Sequence, residues 1–509
     1  MTARNVAAAL CWTTTAAVAA RGAGGTLAAN RSARWLTRHQ PSPNPRPDRP
    51  GPADGRPHVL LILPMLREQT TIADTCAYFT QLADAWGPAT VVLATTEREH
   101  HDRARAQDRL PHLAGFLTRA RRPQQVTSRF AGVLPPDALA RLADLSGRAD
   151  VDYPAVVEQE FTRTPTTMEL AEKIAGDSGG IIRHHHHCDP GSVMVDQITH
   201  AVTRELERLA AEGVTADRAW IGIYNADSRP HPDTLTALAP MTDTSRVVQQ
   251  SAVHTLTLRH RGGPAGAVCD GAGLLQSRWS LAREIPRLRA QSGQARQGPA
   301  RWPRLGHCTG HGLFVRADLW QQIPMPRTTM NEDLAYGYLL SAAGIPIDVL
   351  PLLEVADSPL HVSGLIRQLR QWFFSYPQYP AAARLAADAG LGDPRSRAWL
   401  TAQGLGRGVL WLGQSAAVVG TLLLPVAARN RPVALAASAA AISAYVAGPA
   451  AALTRTASAS GTPLHLRPRD VAGMTVAALL SSAGPWWCLA DLARAAIAGG
   501  RLVHGKTER

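Results

Sequence analysis

Three stretches near the carboxyl end, residues 408–428, 432–454 and 471–490, contain no Asp, Glu, Lys, Arg or His. Each is long enough to cross ~30 Å of hydrocarbon as a helix. They are rich in alanine rather than leucine, so each is individually marginal as a membrane span, and buried helices of a soluble protein are the alternative reading. Arg429 and Arg431 sit in a tight connection between the first two. The segment with Arg455, Arg467 and Arg469 reads as cytoplasmic, because positive charge stays on that side. Trp486 and Trp487 suit an interfacial belt. Residues 381–509 therefore read as a membrane-embedded helical region, and the chain as a multi-pass protein of the cell membrane with its larger domain in the cytoplasm.

The amino-terminal end carries a second apolar run, Val6 to Ala20, between Arg4 and Arg21. It is short for a span, and Ala-Val-Ala near its end leaves signal peptide, signal anchor and interfacial helix open. Arg31, Arg34 and Arg38 follow closely and favour an anchor with a cytoplasmic carboxyl end. Residues 40–57 are a Pro-rich linker that can hardly be helix or sheet.

Lys plus Arg number 53 against 40 Asp plus Glu, a net charge of +13. That balance suits an anionic partner such as a lipid surface or a phosphorylated substrate. The arginines are spread along the chain with no aromatic-interleaved basic strand, so nucleic acid is not the expected partner. Six cysteines without paired spacing fit a reducing compartment.

The folded region opens at His58–Pro64, a continuous apolar run of the kind found in parallel strands covered on both faces. A helix is expected over Thr71–Trp86 and a second strand over Ala89–Thr95, which makes a βαβ opening. Glu97-Arg98-Glu99 then reads as a charged turn. Residues 101–160 are arginine-rich, carry no interpretable motif and read as an insertion. Thr164-Pro165-Thr166-Thr167-Met168-Glu169-Leu170 offers a Thr N-cap with an acidic first turn, so a helix is expected to about Ala175. Four consecutive histidines, His184–His187, precede Cys188, but neighbours on an extended segment point to opposite sides and cannot close a metal tetrahedron.

Ala219–Tyr224 is a buried strand that stops at the acidic turn Asn225-Ala226-Asp227. A carboxylate at the carboxyl end of such a strand lies where open α/β sheets place ligands. Asp227 suits a divalent cation held against a diphosphate; an Asx-type turn is the alternative. Strands follow over Val247–Val253 and Ile345–Pro351, with a helix over Gly271–Arg289 and a polar loop over 291–300. Gly306–Gly312 is a glycine turn that admits close backbone approach. Asn331-Glu332-Asp333 opens a helix over Leu334–Ala343, where acidic side chains either serve chemistry or favour the helix dipole. Residues 365–374 form an amphipathic Arg/Trp/Phe segment suited to a membrane interface.

Taken together and in this order, five elements resemble the inverting family 2 glycosyltransferases of the cellulose, chitin and hyaluronan synthase type. Pro64-Met65-Leu66-Arg67-Glu68 resembles their Pro-x-x-Asn-Glu turn, and Glu97 stands where that family has an acidic residue for the nucleotide. Gly191 through Gln197, Thr199 and Ala201 resembles Gly-x-x-x-Gln-Leu-Asn-x-Ala. Asn225-Ala226-Asp227-Ser228-Arg229-Pro230 resembles Asp-Ala-Asp-Ser-x-Pro. Gly310-His311-Gly312 to Arg316, followed by Thr329 to Leu334, resembles the acceptor and general-base elements. Gln368 and Trp372 match Gln-x-x-Arg-Trp. Four elements carry a substitution, at Arg67, Thr199, Asn225 and Gln371.

The resemblance implies a GT-A-like α/β domain over 58–380, mostly parallel sheet with flanking helices, joined to the carboxyl-terminal transmembrane helices. It implies inverting transfer from a nucleotide-sugar donor to a lipid-linked or polysaccharide acceptor, with Mg or Mn as cofactor. Asp333 would be the base, with Glu332 beside it; Asp227 would hold the metal. Pro64, Glu68, Glu97, Asn225, Gln368, Arg370 and Trp372 would bind the donor, and Gly310, His311 and Gly312 the acceptor. The substitutions motivate a rival, a degenerate membrane protein that binds a nucleotide sugar without turnover. A third reading is an α/β domain for some other phosphate ligand.

Overall fold

The computed structural model describes residues 3–39, 55–110, 112, 125, 130, 133–145, 148, 150–254, 262–327, 331–459, 464 and 466–498. Most of the Pro-rich linker, the interior of the 101–160 stretch, and Thr329 and Met330 lie outside them. The architecture is α/β with mostly parallel strands, flanking helices and apolar helices at the carboxyl end. It divides into two compact units, residues 46–227 with 316–318, and residues 1–45, 228–315 and 319–509.

In the first unit, β1 (His58–Pro64), β2 (Ala89–Thr96), β3 (Ile182–His187) and β4 (Ala219–Ile223) lie in the order β3-β2-β1-β4, all parallel. Val59–Leu63 and Val91–Ala94 are fully buried, as expected of strands covered on both faces. The helix Ile72–Trp86 crosses over and buries Ile72, Cys76, Phe79 and Trp86. Thr166 caps the helix Thr167–Asp177: its hydroxyl accepts from the Glu169 N–H at 3.3 Å, and the Glu169 carboxylate accepts from the Thr166 N–H at 2.6 Å. The stretch read as an insertion packs its own small core, with Leu110, Phe130, Leu142, Tyr153 and Val157 buried together.

The histidine run alternates across β3. His184 meets the Thr95 hydroxyl at 2.7 Å and His186 meets it at 3.0 Å, while His185 turns the other way to Glu205 at 2.7 Å. Burial, then the neighbouring His186 and His185 charges, push His184 down to about 4. His184 and His186 thus tie β3 to β2, and His185 ties it to the flanking helix Met194–Ala211.

The second unit contains β5 (Arg229–Pro230), β6 (Val247–Gln249), β7 (Ala252–Val253), β8 (Leu313–Arg316), β9 (Asp348–Val349) and β10 (Glu354–Val355). Here β6 pairs antiparallel with β8 and parallel with β9; β10 pairs antiparallel with β5 and parallel with β7. The expected strand over 247–253 is thus broken at Gln250-Ser251, and that over 345–351 shrinks to two residues, because Pro346 and Pro351 cannot donate to a ladder. The expected helix over 271–289 is longer: Gly263–Trp279, a π turn over Ser280–Glu284, then Ile285–Ala295. Pro264 lies in its first turn, where a missing N–H costs nothing.

Among the described residues, three helices are long and apolar enough to cross a membrane: Pro394–Ala427, Arg431–Thr456 and Pro468–Ile497. The amino-terminal run extends into one helix, Ala3–His39, about 55 Å long at 1.5 Å per residue. It packs on the first two apolar helices: Cys11 lies in a buried cluster with Leu424, Ala428 and Ala434, and the Thr26 hydroxyl donates to the Ala444 carbonyl at 3.3 Å. None of the six cysteines is in a disulfide among the described residues.

Candidate active site

In the first unit the turn after β1 is built around a carboxylate that sequence reasoning passed over. Glu99 is buried and accepts from the Arg67 N–H at 3.3 Å, the Thr167 N–H at 3.2 Å, Arg103 Nη2 at 3.3 Å and the Gln69 side-chain amide. It fixes the turn in which Arg67 takes φ +58°, the sole positive-φ non-glycine among the described residues. The resembling family has asparagine there, a residue that enters the left-handed region more easily. Arg67 also pairs with Asp102. Removing a buried acceptor of this kind leaves its donors unpaired. Glu99→Ala is therefore expected to destabilise the protein by about 3 kcal/mol, measured by denaturant unfolding.

The expected donor residues of this unit take these places. Pro64 ends β1; Glu68 accepts from the Thr71 hydroxyl at 2.9 Å at the start of the crossover helix; Glu97 accepts from His186 Nε2 at 2.9 Å. Asn225, Ala226 and Asp227 follow β4, and the Thr75 hydroxyl holds the turn by donating to the Ala226 carbonyl at 2.6 Å. Among the described residues no group of three or more His, Cys, Asp or Glu side chains could hold a metal by itself. A partly buried carboxylate in the turn after a strand does fit a hard cation that completes its shell with diphosphate and water oxygens. Asp227 is in such a place.

The second unit holds the acid–base cluster. Gly306–Gly312 is tied down from both sides. Gln249 donates to the Thr309 hydroxyl at 2.7 Å and the His311 carbonyl at 2.8 Å and accepts from the Thr309 N–H at 3.0 Å. Gly312 has φ +64°, and a Cβ there would stand 2.5 Å from the Gln250 carbonyl oxygen, so only glycine fits.

Asp333 lies in the first turn of the helix Glu332–Ala342, which starts two residues earlier than the expected helix over 334–343 and so takes Asp333 inside it. An edge of Asp333 reaches solvent. Burial nonetheless raises its carboxyl to about 6; the Leu334 N–H, the His311 charge and the Gly310 N–H oppose that rise. The Leu334 N–H donates to Asp333 Oδ1 at 2.8 Å. Glu332 is buried beside it.

His311 connects Asp333 to two further carboxylates, neither of them foreseen. Its Nδ1 pairs with Glu354, which is fully buried on β10 and has Oε2 without a hydrogen-bond partner among the described residues. Glu284, on the π turn, accepts from the Ser251 hydroxyl at 2.6 Å. Burial raises it to about 7; the Ser251 hydrogen bond and His311 oppose the rise and Glu354 adds to it. A group poised near neutrality is what general base catalysis needs, and Asp333 is the member of this cluster that reaches the surface.

Of the remaining expected residues, Gln368 is buried and accepts from Gln276 at 3.1 Å, and Trp372 sits 6.5 Å from the His254 ring. His254 in turn packs edge-on to His311 at 6.4 Å. Arg370 is turned to the last apolar helix: Nε meets Asp491 at 2.5 Å, and the guanidinium lies over Phe374 and Trp487. Asn331 donates to the Gln371 carbonyl at 2.8 Å and to Ser375 at 2.5 Å.

No family model matches the chain, and no curated protein matches it. Among solved structures it is similar to the mannosyltransferase PcManGT from Pyrobaculum calidifontis in complex with GDP-mannose and Mn²⁺. The two are 15% identical, over 95% of this chain and 99% of that one, with a TM-score of 0.39.

Proposed function

We propose that the chain is a membrane-bound glycosyltransferase that moves a sugar, with inversion, from a nucleotide-sugar donor to a lipid-linked or polysaccharide acceptor. Residues 58–380 form its GT-A-like domain, on the cytoplasmic side, and residues 381–509 its membrane-embedded region. The ordered motif elements support this reading, and one observation carries it: Asp333 is a solvent-reaching carboxyl held near pH 6, among Gly310, His311 and the start of a helix.

Asp333 takes the proton of the acceptor hydroxyl as its oxygen bonds to the anomeric carbon. The bond from that carbon to the diphosphate breaks, and its electron pair leaves with the nucleoside diphosphate. His311, held by Glu354, stands beside the Asp333 carboxylate; Glu332 packs the helix start. Gly310 and Gly312 shape the acceptor side. Asp227 is the residue that would hold a divalent cation, Mg or Mn, and such a cation supplies charge neutralisation to the departing diphosphate. The donor-binding residues are Pro64, Glu68, Glu97 and Asn225 of the first unit and Gln368 and Trp372 of the second.

The base must be ionised to act. Activity is expected to fall about tenfold per pH unit below about 6 and to level off above it, read from kcat/KM against pH. Replacing Glu354 by Gln removes the anionic partner of His311 and is expected to shift that inflection. A thermal-shift screen of nucleotide sugars with and without Mn²⁺ identifies the donor, since a ligand of the native state raises apparent stability. Donor binding without turnover, indifferent to Asp333, would favour the degenerate reading instead.

A further inference from the structure

Five guanidinium groups gather inside the helical part of the second unit. Arg21 comes from the amino-terminal helix, Arg278, Arg283 and Arg287 from the segment over 263–295, and Arg407 from the helix Pro394–Leu412. Arg287 is repelled by Arg407, Arg283 and Arg21, and Arg283 by Arg21 and Arg278. Burial first, and then these neighbours, bring Arg287 down to about 10, low for a guanidinium.

Among the described residues, the hydrogen bonds of Arg21, Arg278 and Arg407 run to neutral acceptors. Arg407 Nη2 donates to the Leu305 carbonyl at 2.9 Å and Arg21 Nη2 to Gln414 at 3.5 Å; Arg278 donates to the Tyr445 carbonyl and lies 4.1 Å over that ring. Arg21 Nε, Arg278 Nε and Arg407 Nη1 remain buried without a hydrogen-bond partner among the described residues. Arg278 itself is 7% exposed. The neighbouring acid, Glu284, feels the Arg287 charge but accepts its hydrogen bond from the Ser251 hydroxyl.

Buried and half-buried like charges with no carboxylate hydrogen-bonded to them are costly to hold together unless an anion joins them. Arginine forks match phosphate oxygens two at a time. Arg407 directly precedes the charge-free stretch 408–428, and Tyr445 lies within the second apolar helix, so the cluster sits where a lipid's polar head would meet the protein. We propose that Arg21, Arg278, Arg283, Arg287 and Arg407 form a phosphate site that takes the phosphate or diphosphate group of an amphipathic membrane lipid.

The test uses the full chain in detergent or nanodiscs, with binding read by thermal unfolding and native mass spectrometry. The probes are a polyprenyl phosphate, phosphatidylglycerol, the uncharged polyprenol and inorganic phosphate. The phosphate-bearing lipids are expected to bind and to raise the unfolding temperature of the wild type, and the polyprenol is not. The double variant Arg283→Gln/Arg287→Gln should bind them about tenfold more weakly or worse, with Arg287→Lys in between. Without lipid, the double variant should unfold no lower than the wild type, because it sheds repulsion. If it fails to fold, the Arg287→Lys comparison decides.

A preference for polyprenyl phosphate over phosphatidylglycerol marks an acceptor-type ligand, and the reverse marks a resident phospholipid. Equal binding of inorganic phosphate marks a free anion at the same site. Wild-type affinity in the variants, or a lower lipid-free unfolding temperature with unchanged binding, overturns the proposal. No turnover enters these readouts, so their failure leaves the transferase reading untouched.

Discussion

Asp333→Asn is expected to lower sugar transfer roughly 10²–10⁴-fold while making the protein more stable at alkaline pH. Burial lifts the Asp333 carboxyl from 3.8 to about 6 in the folded state. A carboxyl raised in this way contributes stability that is complete below its unfolded value and is lost as pH rises through about 6. At pH 8 the ionised side chain is therefore a burden on the order of 1–2 kcal/mol, after a discount for the edge that reaches water. Asparagine keeps an oxygen for the Leu334 N–H and removes the charge. Paired unfolding curves should show the variant more stable at pH 8 and nearly equal to the wild type at pH 4. A variant that is less stable at pH 8, or that retains activity, contradicts this account of the residue.

The second large effect is mechanical. At the crossing of the helices Gly263–Trp279 and Pro468–Leu480, a Cβ on Gly473 would stand 2.0 Å from the Ala267 carbonyl oxygen, and one on Gly271 2.2 Å from the Gly473 carbonyl carbon. Both obstacles are backbone, so no side-chain rotation relieves them, and the helices must separate. Gly473→Ala is expected to destabilise by about 3 kcal/mol, seen as a lower unfolding temperature and reduced yield. Gly24→Ala, in a helix with nothing within 4 Å of the new Cβ, is the control and should leave stability unchanged or slightly raised.

Much of the first unit is legible in the sequence because its signals are local. The apolar runs at 58–64 and 89–96, the Thr166–Glu169 cap and the alternation of the histidines each report on neighbours a few residues away. The three charge-free stretches likewise lie within the apolar helices. The second unit was harder to read, because its strands are two to four residues long and are made by distant partners such as Glu354 with Ala252.

The same holds at the site. Asp333 was marked by its motif, whereas Glu284 and Glu354 act through a fold that brings residues near 251, 284, 311 and 354 together. Glu354 did leave a trace: a single acid in the apolar run Leu350-Pro351-Leu352-Leu353-Glu354-Val355, where an unpaired carboxylate is hard to bury. Glu99 left none beyond its place in a charged turn, since its four donors come from 67, 69, 103 and 167. Arg370 looked available for a diphosphate, but Asp491, over a hundred residues later, meets it.

The most direct measurement is product analysis with membranes containing the full chain and a panel of labelled nucleotide sugars, run beside Asp333→Asn. The account predicts that one donor is consumed, that its sugar appears with inverted configuration in a lipid-extractable or polymeric product, and that the variant makes it at least roughly a hundredfold more slowly. Consumption of no donor by the wild type, or equal product from both proteins, would contradict it.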